Sequence, residues 1–160
     1  MSIRCASKAL IIHNGSILLN RCRHSDGRVY YDLPGGGQHL YETMEDAVVR
    51  EVLEETGYRV TVRRFAALAE EIYTSDTLRR QFPDYTHRIL HIFLADLISD
   101  QQSLPSETDF GMEASVWIPL GKVASLPEIR PQGHQFRLDE ILRAAAPVYL
   151  GTQLLTWETP

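Results

Sequence analysis

Residues 36–58 read GGQHLYETMEDAVVREVLEETGY, and this stretch decides how the chain folds and what it can bind. If its second half is helical, Glu51, Glu54 and Glu55 follow the spacing i, i+3, i+4, so their carboxylates share one face of the helix. Like charges at this spacing repel one another unless a positive group lies between them. A divalent cation is such a group, and Mg²⁺ in particular is held by a few carboxylates together with the phosphates of a substrate. The spacing therefore indicates a metal site for phosphate chemistry.

The same stretch predicts a helix from Thr43 to Thr56 with an apolar face separate from the acidic one. Apolar side chains recur at helical spacing at Ala47, Val48, Val49, Val52 and Leu53. Thr43 is a suitable N-cap, with Asp46 three residues later in the place of a capping box. Gly57 is suited to the left-handed conformation that ends a helix. A helix of this kind docks its apolar face and leaves the glutamates outside.

A cluster of glutamates on a helix is more often only a solvated face, but two neighbouring features favour a functional site. Arg50 lies inside the cluster, where a guanidinium orients carboxylates through paired hydrogen bonds. Residues 33–37 read LPGGG, and such a loop brings bare backbone N–H and C=O groups close to a metal or a phosphate.

These residues together resemble the Nudix box, in which Gly, five residues, Glu and seven residues precede an Arg-Glu-aliphatic-Leu-Glu-Glu-Thr-Gly run. The matching positions are Gly36, Glu42, Arg50, Glu51, Val52, Leu53, Glu54, Glu55, Thr56 and Gly57. Tyr58 departs from the usual aliphatic residue, and Tyr41 stands where many members have Gly. The resemblance implies an enzyme that hydrolyses a pyrophosphate bond in a nucleoside diphosphate linked to another group. The implied cofactor is Mg²⁺ or Mn²⁺, and the implied substrates include nucleoside triphosphates, nucleotide sugars and related small nucleotides.

The resemblance also implies a role for each residue of the box. Glu51, Glu54 and Glu55 are the implied metal ligands, with a backbone carbonyl of Gly36 or Gly37 as an additional ligand. Arg50 is implied to orient these carboxylates, and Glu42 to support them. A bound metal would neutralise charge that develops on the phosphates and activate a water for in-line attack.

The group that takes the proton from this water is open at the level of the sequence. It is either a glutamate of the box or an acid from a later loop, where Glu107, Asp109 and Glu113 precede a strand-like segment. Glu113 is the first choice, and the alternative is that all three are ordinary loop acids.

Seven further residues are candidates for substrate binding. Residues 75–88, SDTLRRQFPDYTHR, offer arginines for phosphates and aromatic rings for a base. The alternative for this segment is a solvated connection between strands. Arginines near the glycine loop and one histidine within the box complete the set. The candidates are Arg79, Arg80, Phe82, Tyr85, His39, Arg23 and Arg28.

Composition favours one soluble domain over residues 1–160. The net charge of −5 argues against binding to nucleic acid, whose phosphates require a basic surface. Cys5 and Cys22 lack metal-ligand spacing, so reduced thiols in the cytoplasm are expected. No apolar run approaches the length of a membrane span, and no membrane partner is expected. A homodimer is expected only by analogy with the family.

The order of elements indicates an α/β fold. Extended segments are predicted over residues 3–13, 16–22, 28–33, 59–65, 67–73, 88–97 and 114–118, with Asn14-Gly15 as a hairpin turn. A second amphipathic helix is predicted over residues 136–146, while residues 147–160 are ambiguous. Strands with a few interspersed helices predict a central mixed sheet. The resemblance implies the Nudix-type α/β/α sandwich.

Two other functions remain open. A Nudix-like sensor would bind nucleotide without turnover, although such a module has no need of a complete set of catalytic acids. An isomerase of isoprenoid diphosphates with the same fold would need a catalytic cysteine, and neither Cys5 nor Cys22 is suitably placed.

Overall fold

The first two strands form a hairpin at the turn that Asn14-Gly15 predicts. In a computed structural model, which describes residues 2–108, 111–131 and 136–156, strands β1 (Arg4–His13) and β2 (Ser16–Arg23) flank this turn. Asn14 has φ 47° and Gly15 has φ 73°. A tight hairpin turn of this kind requires positive φ at both central residues, which Asn and Gly tolerate best.

The remaining elements alternate between strands and short helices. The strands are β3 (Val29–Asp32), β4 (Gly35–Gly37), β5 (Val60–Tyr73), β6 (His87–Leu97), β7 (Met112–Pro119), β8 (Ile129–Arg130) and β9 (Val148–Leu155). The helices are α1 (Met44–Thr56), α2 (Asp76–Gln81) and α3 (Leu138–Arg143), with a 3₁₀ helix at Leu120–Ser125. Within the described ranges, no helix is both long enough and apolar enough to span a membrane.

The strands form one curled mixed sheet in the order β8-β3-β2-β1-β6-β5-β9, with β4 beside β1 and β7 beside β2. Strands β1 and β2 pair only next to their turn, through Ile12 with Ile17 and His13 with Ser16. Beyond the hairpin, the sheet therefore separates into two halves. One half contains β1, β4, β5, β6 and β9, and the other contains β2, β3, β7 and β8. Buried side chains of both halves and of α3 form the larger core, which includes Leu10, Leu19 and Ile141.

Helix α1 packs on the outer face of the half that contains β1 and β6. Its Val48 and Val52 are fully buried against Ala9, Ile11 and Phe93 of these strands. The α/β architecture with a central mixed sheet is confirmed, because helices cover this sheet and apolar side chains fill the space beneath them.

Both ends of α1 lie where the sequence predicts them. The Thr43 hydroxyl accepts a hydrogen bond from the Asp46 N–H at 3.1 Å. Gly57 adopts φ 73°, and its N–H donates to the Leu53 carbonyl at 2.9 Å. The helix is thus fixed by groups within four residues of each end.

Several boundaries differ from the sequence prediction for identifiable reasons. The two segments expected at 59–65 and 67–73 form the single strand β5, whose register shifts between Val62 and Arg64 and again between Phe65 and Ala67. Such irregularities interrupt the alternation that a sequence pattern detects. Helix α3 is shorter than the expected 136–146, and Pro147 accounts for the loss of helical geometry at its end because a proline disfavours that geometry in the preceding residue, Ala146.

The two remaining ambiguous segments acquire regular structure. Ser75 caps α2 by accepting from the Leu78 N–H at 3.3 Å, so the connection expected to be an open loop begins as a helix. The C-terminal segment forms β9, which pairs parallel to β5 and buries Leu155. Trp157 lies outside the described residues.

Candidate active site

The acidic face of α1 converges on one guanidinium. Arg50 Nε and Nη2 donate to the two oxygens of Glu42 at 2.8 and 2.9 Å. Its Nη1 donates to Glu51 at 2.9 Å and to Glu54 at 2.8 Å. Nη2 also donates to the Gly37 carbonyl at 3.0 Å. One positive charge therefore gathers three carboxylates beside the glycine strand β4.

Partial burial strengthens these ion pairs. The side chains of Arg50, Glu42 and Glu51 are 23%, 15% and 14% exposed. Hydrogen bonds from Arg50, together with the His39 N–H, lower the pKa of Glu42 to about 2 despite the opposing effect of burial. The hydrogen bonds that Arg50 donates to Glu42, followed by those it donates to Glu51 and Glu54, hold the pKa of Arg50 above its usual range. Glu42 and Arg50 are thus both charged at neutral pH.

Glu55 occupies a different position from the other glutamates of the box. It is buried, and its Oε2 accepts from the Gly35 N–H at 2.8 Å and from the Asn20 side-chain amide at 2.7 Å. Lys8 Nζ donates to the carbonyl of the same glycine at 2.6 Å and to Asp32 at 3.1 Å. The N–H of Gly35 is consequently bound by Glu55 of α1, and its carbonyl is bound by Lys8 of β1.

Lys8 remains charged although it is buried. Burial lowers its pKa, but the nearby carboxylates of Asp32 and Glu55 more than offset this effect and raise the pKa above its usual value. A buried charge is costly unless it is paired and hydrogen-bonded, and Lys8 satisfies both conditions.

The glycines of β4 are required by close contacts. At Gly36, a Cβ atom would lie 2.4 Å from Glu51 Oε2. At Gly35, where φ is 127°, it would lie 2.2 Å from the Ser7 carbonyl oxygen. Any side chain would displace the carboxylate or the strand, so the loop and the acidic helix fit together only through bare Cα atoms.

The donor set has the chemistry that a hard cation requires. The oxygens of Glu51 and Glu54 lie within hydrogen-bonding distance of the same Arg50 nitrogen, so the two carboxylates are close together. Carboxylate and carbonyl oxygens are the ligands that Mg²⁺ selects. Within the described ranges, however, no three acidic, histidine or cysteine side chains are already arranged to hold a metal ion. Glu51 and Glu54 point to Arg50 instead.

The candidate bases occupy different places. Glu113 on β7 forms ion pairs with Arg21 and Arg23. The N–H groups of Ser106 and Glu107 donate to the Glu54 carbonyl at 2.8 and 3.1 Å, which places the exposed Glu107 beside the C-terminal turn of α1. Asp109 lies outside the described residues.

The predicted substrate contacts are dispersed. Arg23 pairs with Glu113 and Arg28 with Asp26. Arg79 donates through Nε to the Tyr73 carbonyl at 2.6 Å, while Arg80 and Phe82 are exposed on and after α2.

Two of these candidates lie close to the site. The His39 N–H donates to Glu42 at 2.8 Å. Tyr85 lies under the guanidinium of Arg4, which is 4.4 Å from the ring centroid. Sequence reasoning missed Arg4, Lys8, Asn20 and Asp32. Lys8 and Asn20 could have been found from the sequence, because each is a polar residue in an otherwise apolar strand segment, SKALII and ILLN respectively.

Comparison with known proteins agrees with the geometry of the loop and helix. A family model of the NUDIX domain matches residues 4–139. The protein MutT4 of Mycobacterium tuberculosis (strain CDC 1551 / Oshkosh) is 34% identical over 99 residues, which cover 62% of this chain and 36% of MutT4. This chain thus spans about a third of the length of that curated relative.

Solved structures share the fold. A MutT NUDIX hydrolase from Burkholderia pseudomallei is 27% identical with a TM-score of 0.57, and the match covers 76% of this chain and 86% of that one. The mutator MutT protein from Bacillus halodurans is 18% identical with a TM-score of 0.67, and the match covers 99% and 94%. An ADP-ribose pyrophosphatase from Streptococcus suis 89-1591 is 24% identical with a TM-score of 0.62, and the match covers 92% and 99%.

The fold and site define an α/β protein in which a glycine strand and an acidic helix enclose a single arginine. The chain belongs to the NUDIX domain family.

Proposed function

We propose that this protein is a divalent-metal-dependent pyrophosphohydrolase that acts on a small nucleotide, namely a nucleoside diphosphate linked to another group. The observation that carries the proposal is the convergence of Glu42, Glu51 and Glu54 on Arg50 beside β4. Such a set of preoriented carboxylates suits a cation that is shared with the phosphates of a substrate.

Each residue of the network has a distinct part in this proposal. Glu51 and Glu54 would hold the cation, with a carbonyl of Gly36 or Gly37 as a further ligand, whereas Glu55, buried against Gly35 and Asn20, supports the glycine strand from within the core. Bound Mg²⁺ or Mn²⁺ would neutralise phosphate charge and lower the pKa of a bound water. Arg50 and Glu42 keep the carboxylates in place, because ligands at metal sites depend on partners that orient them.

The general base is an acid that lies close to Glu54. Glu107 is favoured over Glu113, since the backbone of Glu107 bonds to α1 whereas the carboxylate of Glu113 is engaged by two arginines. Comparison of Glu107→Gln with Glu113→Gln tests this choice, and the first variant is expected to show the larger loss of kcat.

The test is a screen of purified protein with Mg²⁺ or Mn²⁺ against nucleoside triphosphates, ADP-ribose, nucleotide sugars and dinucleoside polyphosphates. Phosphate is measured directly, or after phosphatase treatment where the product requires it. Glu54→Gln is expected to lose at least about 100-fold in kcat/KM because it removes a charged ligand. Glu45→Gln, in the exposed first turn of the same helix, is the matched control and should retain activity.

Two outcomes would contradict the proposal. Hydrolysis that survives Glu54→Gln would place the activity elsewhere. Silence across the panel, with nucleotide binding still detectable by calorimetry, would favour the nucleotide-binding sensor.

A further inference from the structure

Arg4 lies against the glycine strand on the face opposite to Glu51. A Cβ atom at Gly37 would lie 2.1 Å from Arg4 Nη2, just as one at Gly36 would lie 2.4 Å from Glu51 Oε2. Successive positions of a strand point to opposite faces. The space left by two neighbouring glycines is therefore filled by a carboxylate on one face and by a guanidinium on the other.

The positive charge of Arg4 has no carboxylate partner within the part of the chain that the structure describes. Its register partner on β6, Arg88, is neutralised by an ion pair with Glu71. Arg4 instead stacks on Tyr85, with its Cζ 4.4 Å from the ring centroid. Tyr85 itself remains 53% exposed. A half-buried guanidinium that lacks an anion is therefore present at the rim of the site.

The surroundings leave room for an anion there. In the described ranges, β4 pairs with β1 alone, so no strand covers its outer edge. The arginines predicted to bind phosphate already bond to other groups, as Arg23, Arg28 and Arg79 do, or lie on exposed elements. Arg4, by contrast, lies against the backbone of Gly37, next to the acidic cluster. A guanidinium presents a planar fork of N–H donors that matches phosphate oxygens in pairs.

We propose that Arg4, held in place by Tyr85, is a phosphate-binding residue that takes one phosphate of the diphosphate while the acidic face of α1 takes the cation. This inference rests on the proposed function, since it assumes a substrate with two linked phosphates. Arg4 acts in binding rather than in bond cleavage, so its removal should raise KM more than it lowers kcat.

Calorimetry with two non-reacting probes tests the assignment. Inorganic pyrophosphate and α,β-methylene-ADP are titrated in the presence of Mg²⁺ into wild type, Arg4→Met, Arg4→Lys and Tyr85→Ala. Arg4→Met should weaken both probes at least about tenfold, and Arg4→Lys should weaken them less because the charge survives without the fork. Tyr85→Ala should weaken both probes because the guanidinium loses its support. Arg63→Met removes an arginine from an exposed ion pair with Asp96 and serves as the matched control.

The outcomes separate this inference from the proposed function. If wild type binds the probes and Arg4→Met binds them equally well, the assignment of Arg4 is wrong and the hydrolase proposal stands. If wild type binds neither probe and hydrolyses nothing in the substrate screen, both fail. If Arg4→Met does not fold, Arg4→Lys tests the assignment instead. An affinity of Arg4→Lys for both probes equal to that of wild type, together with an equal KM, would overturn the assignment.

Discussion

The ion pair between Arg50 and Glu42 should be one of the strongest couplings in the protein, and a double-mutant cycle measures it. Two short hydrogen bonds join Arg50 to Glu42, and both side chains are mostly buried. Removal of one partner of a buried pair leaves an uncompensated charge and costs about 3–5 kcal/mol. Arg50→Met should therefore lower the free energy of unfolding by about that amount.

The cycle isolates the pair from the other contacts of Arg50. Glu42→Gln should cost about 1–2 kcal/mol, because its amide still accepts one hydrogen bond but loses the charge. The loss of unfolding free energy in the double variant should be smaller than the sum of the losses in the two single variants by about 2–3 kcal/mol. This difference is the contribution expected of two charge-assisted hydrogen bonds, reduced because both side chains are partly exposed. Urea unfolding at pH 7 with EDTA present gives the four free energies.

A second pair provides the control. Arg63 and Asp96 also form a two-point ion pair, but their side chains are 57% and 39% exposed. The cycle of Arg63→Met with Asp96→Asn should give a coupling below about 1 kcal/mol, since exposed pairs are screened by water. The reasoning is refuted if both pairs couple equally, or if the coupling of Arg50 with Glu42 is below about 0.5 kcal/mol.

Three further predictions concern pH, metal binding and thiol chemistry. Arg50 lowers the pKa of Glu42 from 4.5 to about 2, so between these pH values the unfolded chain binds a proton that the folded chain does not. The resulting stabilisation of the folded state is complete above pH 4.5 and is lost as the pH falls towards 2. This pH dependence of the unfolding free energy should be absent in Glu42→Gln. Gly36→Ala should displace the Glu51 carboxylate and weaken Mg²⁺ binding about 10–100-fold in an activity titration, and an unchanged midpoint would contradict the contact. Burial raises the pKa of Cys22 to about 12, so in the folded protein a thiol reagent at pH 8 should modify the less buried Cys5 well before Cys22, as peptide mass mapping would show.

The surroundings of the candidate substrate-binding residues could not be predicted from the sequence in the same way as the acidic face of α1. Arg23, Arg28 and Arg79 are the right residue type near the right segments, but each is engaged by a neighbouring group that only the fold brings close. Arg4, at the start of the chain, reaches the glycine strand because β1 pairs with β4. Spacing along the chain carries no information about such a pairing.

The sequence alone determined helix α1 and the shared face of Glu51 and Glu54. The reason is that caps and helical spacing depend on groups within a few residues of one another, as the bonds at Thr43 and Gly57 show. The hairpin at Asn14 was determined in the same local way.

Only the tertiary structure decided how the glutamates are divided. Glu55 turns inward because Asn20, 35 residues earlier, and the N–H of Gly35 meet it in the core. Glu107 rather than Glu113 comes to lie beside α1 because a distant loop bonds to the Glu54 carbonyl. These contacts join segments that the chain separates widely, so packing of the sheet against the helix, and not local preference, sets where each acid lies.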